Sequence, residues 1–142
     1  MKIVMTIFML FLLKSVDATS IPQVFVSFSM PEQLLQETLS ESARLHIPAV
    51  LNGLYQNSMP KTVAKIMALS KVVPNLNLQI DPTAFARFKI QQVPALVVSS
   101  DTGFDVMYGN LTLTEALKRI ATHGNESGSG LTPDDVRRMI GE

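Results

Sequence analysis

The chain has 142 residues, 46% of them hydrophobic and only 17% charged, with twelve basic and twelve acidic side chains and no cysteine. That length suits one domain with a real core. The missing cysteine excludes disulfides, thiol redox chemistry, cysteine nucleophiles and cysteine-ligated zinc. The balanced charge lacks the clustered Lys and Arg that bind nucleic acid.

Met1-Lys2 is a short basic start, and Ile3 to Leu13 forms a predominantly apolar run of 11 residues. A bilayer span needs about 20 residues, so the run is too short to cross. Val16-Asp17-Ala18 supplies the small-x-Ala pattern of a signal-peptidase site. Residues 1–18 therefore read as a secretory signal peptide, with Lys14 leaving an uncleaved anchor as the alternative. Cleavage would remove Lys2, Lys14 and Asp17, leaving ten basic and eleven acidic side chains and no stable membrane span. The rest divides into a domain at 19–123, a flexible linker at 124–131 and a short C-terminal helix at 132–142.

Val24 to Phe28 is a β-branched and aromatic run of the kind that fits a buried strand. Ser29 and Glu32 have capping-box spacing, and Pro31 between them is tolerated in a helix's first turn. The helix should run to about Leu45 with Leu35, Leu39 and Ala43 inward. Ile47 to Leu51 reads as the next strand, ended by Asn52-Gly53. A second helix begins near Ser58, carries Val63, Ile66, Met67 and Ser70 at i, i+3, i+4 and i+7, and stops before Pro74.

Leu76 to Ile80 gives a third strand. Asp81-Pro82 is a good N-cap and first-turn pair, predicting a short helix over Thr83 to Phe88. Pro94 to Ser99 and Phe104 to Tyr108 read as a hairpin turned at Ser100-Asp101-Thr102-Gly103. Thr112 and Glu115 form another capping box, ahead of an apolar face of Leu113, Ala116, Leu117, Ile120 and Ala121. Residues 124–130 have linker composition, and Thr132-Pro133-Asp134-Asp135 is a strong helix start. That last helix either folds back, frays, or docks a partner. The order is β-α-β-α-β-α-β-β-α, with the first three strands parallel and the hairpin antiparallel.

No reactive constellation emerges. His46 and His123 belong to no metal-ligand spacing, and there is no Gly-x-Ser-x-Gly elbow or phosphate-binding loop. Asp81 and Asp105 are explained by capping and turn roles. No catalytic residue, cofactor or metal is expected, and the chain does not read as an enzyme.

A strand feeding a helix start at Met30-Pro31, followed by Val93-Pro94 opening a second buried strand, resembles the thioredoxin superfamily. Its redox members place their Cys-x-x-Cys where this chain has Met30 and Gln33. In order, Phe25-Val26-Ser27-Phe28-Ser29-Met30-Pro31, Pro48-Ala49-Val50-Leu51-Asn52-Gly53-Leu54, Gln79-Ile80-Asp81-Pro82-Thr83-Ala84-Phe85 and Val93-Pro94-Ala95 resemble the TrbC family of F-type conjugative transfer systems, over about residues 23–121. The resemblance implies a redox-inactive thioredoxin-like α/β fold, with a central mixed sheet of about five strands flanked by helices.

It also implies a periplasmic, non-catalytic assembly factor for the conjugative pilus of a type IV secretion apparatus, working by protein–protein contact, with a TraW-like protein among its partners. A redox-inactive, peptide-binding periplasmic chaperone is the alternative. The candidate partner surface is Met30, Pro31, Gln33, Val93 and Pro94. Against it stands the simpler reading that Pro94 shapes a strand entry and Met30 fills a gap. The residues leave the isomer of the Val93-Pro94 bond open.

Overall fold

The computed structural model describes residues 19–124 and 128–142; the expected signal peptide and residues 125–127 of the expected linker lie outside the described residues. The first apolar run forms β1 (Ile21–Val26), followed by α1 (Glu32–Arg44), β2 (Ala49–Leu51), α2 (Met59–Val72), β3 (Leu78–Ile80), α3 (Pro82–Arg87), β4 (Ala95–Ser99), β5 (Phe104–Tyr108), α4 (Leu113–His123) and α5 (Pro133–Ile140). The strands make one mixed sheet in the order β3-β2-β1-β4-β5. β1, β2 and β3 are parallel, while β4 runs antiparallel to β1 and β5 antiparallel to β4. This is the thioredoxin-like α/β arrangement expected from the sequence.

β2 starts two residues later than the sequence suggests. Ile47 is consumed by the turn that ends α1, where its N–H donates to the Ser42 carbonyl at 2.9 Å and His46 takes a left-handed φ of 57°. His46 and His123 are both exposed.

Two cores result, one on each face of the sheet. Val24, Val26, Ala49, Leu51, Leu96 and Val98 meet Leu35, Leu39 and Ala43 of α1, Leu69 of α2 and the apolar face of α4. Right-handed crossovers from β1 to β2 to β3 put α1 and α2 on this same face. On the other face Phe25, Val50, Ala95 and Val97 are covered by Ala84, Phe85 and Phe88. The Phe25 and Phe85 rings meet edge to face at 4.8 Å.

α2 corrects the sequence reading. Of the expected inner face, Val63 and Met67 are 44% and 59% exposed, and Ser70 is exposed too. Thr62 and Leu69 are the buried residues instead. The cause is polar: the Thr62 hydroxyl accepts the Tyr55 N–H at 2.8 Å and donates to the Ser58 carbonyl at 2.7 Å. Satisfying that amide draws Thr62 inward, which turns the helix by about one residue, or roughly 100°.

The caps are also refined. Asp81 caps α3 and Thr112 caps α4 as expected, but Glu115 turns away to Arg119 at 3.0 Å and does not close the box. The first amides of α4 are held from outside the helix: the Glu41 carboxylate of α1 accepts from Leu113 N–H at 2.7 Å and from Thr114 N–H and hydroxyl, each at 3.0 Å.

The described part of the linker-like segment is packed down. Ser129 is 1% exposed, and its N–H and hydroxyl donate to Asp105 at 2.8 and 2.6 Å. The Gly128 carbonyl accepts from the Thr102 hydroxyl at 3.0 Å. A Cβ on Gly128 would lie 2.4 Å from an Asp105 oxygen, so any side chain there would push the carboxylate from its Ser129 donors. Asp105 is thus an anchor rather than a turn residue. Beyond it, α5 folds back onto α4 with Val136 and Leu131 buried in the main core.

Two predictions follow from these polar anchors. Glu41→Ala leaves the α4 amides unmatched and should cost about 1–3 kcal/mol in denaturant unfolding, with Glu41→Gln losing less; an unchanged midpoint for the alanine variant would show that the bridge contributes nothing. Asp135 closes a full capping box with Thr132. The Thr132 hydroxyl and N–H, with Arg138 adding, hold its carboxyl below the usual carboxylate range. A lowered folded-state pKa gives stability that is present above the ordinary range and lost as pH falls through the lowered one. Hydrogen exchange should therefore show the start of α5 loosening in acid, a response that Asp135→Asn abolishes.

Candidate partner-binding end of the sheet

Antiparallel pairing of β1 with β4 decides where the sequence candidates sit. Phe25 lies opposite Ala95. The chain leaving β1 toward Met30 and the chain entering β4 from Val93 therefore share one end of the sheet. There the Met30 N–H donates to the Ser27 carbonyl at 3.1 Å, and the Ser27 and Ser29 hydroxyls bond each other at 2.8 Å. Ser29 is thereby spent within the turn and does not cap α1. Pro31 is the N-cap with no side-chain bond, and the Glu32 carboxylate accepts from Gln36 at 3.2 Å instead. The expected Ser29–Glu32 capping box is absent because α1 starts two residues later than that box requires.

The five candidates do not form one exposed patch. Pro31 and Gln33 are exposed, and Gln33 donates to Glu37 at 2.8 Å. Val93 is half-buried and packs against both cores, while Pro94 is buried and follows a cis Val93-Pro94 bond. Met30 is only 8% exposed. Its side chain fills space, as the simpler reading held, and forms the floor of a cleft of about 230 Å³ between α1 and α2. Phe28, Leu35, Lys65, Leu69 and Val72 line the same cleft.

Sequence reasoning missed the wall of this cleft that α2 supplies. Phe28 meets Tyr55 edge to face at 5.6 Å, and the Lys65 ammonium lies 4.8 Å from the Tyr55 ring centre. Phe28 precedes α1, Tyr55 lies in the short turn before α2 and Lys65 is on α2, so the cluster forms only where those chain segments meet. Among the described residues no group of three or more His, Cys, Asp or Glu is placed to hold a metal ion, and no helix is long and apolar enough to cross a membrane.

Residues 24–120 match the family model described as type-F conjugative transfer system pilin assembly protein. The periplasmic protein TrbC of Escherichia coli (strain K12) is 41% identical over 101 residues, covering 71% of this chain and 48% of that protein. The chain thus spans about half the length of the curated relative it matches. No solved structure matches.

The burial of Met30 sets an expectation. Met30→Glu places a carboxylate in an apolar cleft and should destabilise the domain by about 1–3 kcal/mol or more, whereas Met30→Leu conserves volume and should stay within about 1.5 kcal/mol of the parent. Thermal unfolding of the two variants separates a floor residue from an exposed contact; equal stability of parent and glutamate variant would place Met30 at the surface.

Proposed function

Because the chain belongs to the TrbC family of type-F conjugative transfer system pilin assembly proteins, we propose that it acts in the periplasm as a non-catalytic assembly factor for the conjugative pilus, by contact with other transfer proteins. The observation that carries this reading is the extent of the family match, which runs from β1 through nearly all of α4. The chain's lack of cysteine removes thiol exchange from the chemistry available to it.

In this reading the thioredoxin-like frame serves as a rigid holder of surface. The exposed Pro31 and Gln33 would offer the contact, with the half-buried Val93 at the entry to β4 and the buried Met30 and Pro94 shaping that end of the sheet. A TraW-like protein of the same transfer system is the proposed partner. The periplasmic E. coli relative supports the compartment.

A clean deletion in donor cells tests the role. Pili and plasmid transfer should both be lost, and both should return when the gene is supplied in trans. Normal pili in the deletion strain would overturn the proposal.

A further inference from the structure

α2 is apolar on two sides, and the fold covers only one of them. A helix with apolar residues all around is ordinarily buried. Thr62, Leu69 and the following Val73 face the core, while Met59, Val63 and Met67 stand at successive steps of four along an outer ridge, exposed by 53%, 44% and 59%. The next step of four is Lys71. On the opposite flank, Lys65, Ala68 and Val72 line the cleft toward α1. The outer ridge therefore overhangs the side away from α1. Because α2 crosses from β2 to β3, that side is the edge of the sheet formed by β3.

β3 is open along this edge. Its neighbour β2 bonds the Asn77 carbonyl from Ala49 N–H at 2.9 Å and the Leu51 carbonyl to Asp81 N–H at 2.9 Å. Backbone groups alternate sides along a strand, so Gln79 also faces β2, and Leu78 and Ile80 turn N–H and C=O outward. Natural edges are guarded by short length, charge, proline or a bulge. β3 is short, and Asp81-Pro82 end it, but Leu78-Gln79-Ile80 itself has neither a charged residue nor proline. Ile80 is 37% exposed, and it shares the helix-covered face with its register partner Leu51.

Charge selects the occupant. No aspartate or glutamate occurs between Glu41 and Asp81, yet Arg44, Lys61, Lys65 and Lys71 all do, in a chain whose net charge is zero. Among the described residues none of the three lysines is in an ion pair; Lys61 donates to Gln56. Asp81, at the end of β3, is engaged by the Ala84 N–H at 3.1 Å. α2 carries Lys61, Lys65 and Lys71 with no acidic residue, so a second copy of this chain would set one basic helix beside another across the joined edge, which repels.

We propose that the β3 edge takes an extended segment of a partner protein by strand addition. The segment's main chain bonds Leu78 and Ile80, its apolar side chains pack against Met59, Val63 and Met67, and a carboxylate meets Lys71. Main-chain bonds give such additions affinity and side-chain pockets give them specificity; methionines adapt to the incoming side chains. The proposal rests on the assembly role above and names the chemistry of one partner segment.

The probe is an acetylated peptide alternating valine with aspartate, titrated into the isotopically labelled protein, beside a control with lysine for aspartate. The aspartate peptide should shift the amide resonances of Leu78 and Ile80 and slow their hydrogen exchange. Met67→Glu and Lys71→Glu should each abolish the effect. Ile80→Pro, which removes an outward donor while leaving the Gln79 and Asp81 bonds to β2, should do the same with the exchange of β1 unchanged. Equal binding of the lysine peptide, or shifts confined to the Phe28–Leu35 cleft, would overturn the proposal. So would concentration-dependent protection of the two amides without peptide, which would signal a second copy, or displacement of the peptide by phosphatidylglycerol vesicles. In donor cells, Met67→Glu and Lys71→Glu should lower pilus number. Wild-type pili in both variants, where the deletion has none, would remove the edge site and leave the assembly role standing.

Discussion

Three consecutive residues of β1, Val24, Phe25 and Val26, have no exposed surface, and the architecture is arranged around that fact. A strand buried on both faces needs a cover on each side and a hydrogen-bonded neighbour at each edge. β2 supplies one neighbour in parallel and β4 the other antiparallel. The change of strand direction at β1 brings the β1–α1 turn to the same end as the entry to β4. That end holds the buried Met30 and, at the entry to β4, the buried Pro94.

Around this strand the helices are positioned as much by single polar contacts as by apolar area. Thr62 turns α2 by satisfying Tyr55, Glu41 of α1 receives the start of α4, and Asp105 of β5 holds the segment leading to α5. Each contact joins residues separated by at least one loop, and each leaves a partly buried donor unmatched if removed, which costs more than the bond itself contributes. The rotation of α2 has the widest consequence. It leaves Met59, Val63 and Met67 as an exposed apolar ridge on the side of the edge strand β3.

Much of this was legible in the chain. The β-branched runs, the proline and aspartate stops and the hairpin turn located four strands within two residues and the first, read as Val24 to Phe28 but running Ile21–Val26, within three, and ordered motifs pointed to the family. The misreadings share a cause. Ser29–Glu32 and Thr112–Glu115 have capping-box spacing, but spacing does not reveal that Ser29 bonds Ser27 or that Glu115 finds Arg119. The Gly- and Ser-rich stretch before α5 has the composition of a linker, yet Gly128 and Ser129 are small because Asp105 and Thr102 lie against them. Met30 was a candidate contact because it stands where redox thioredoxins carry a cysteine in the motif that this chain resembles; its apolar thioether instead gains by burial in the cleft. The absence of carboxylates from 42 to 80 was present in the sequence from the start, and acquires meaning once α2 and β3 lie side by side.

The sequence by itself determined which segments become strands and helices, that thiol chemistry is unavailable, and the family to which the chain belongs. These depend on local periodicity, turn chemistry and composition, which act between near neighbours. Tertiary structure alone decided which face of α2 is inward, where Glu41 and Asp105 find their donors, and which strand edge remains open. Glu41 meets its donors across 72 residues of chain and Asp105 across 24, while the Thr62–Tyr55 bond spans only seven yet forms only once the turn before α2 is in place. A burial pattern with two apolar sides has no preferred direction until such a contact selects one.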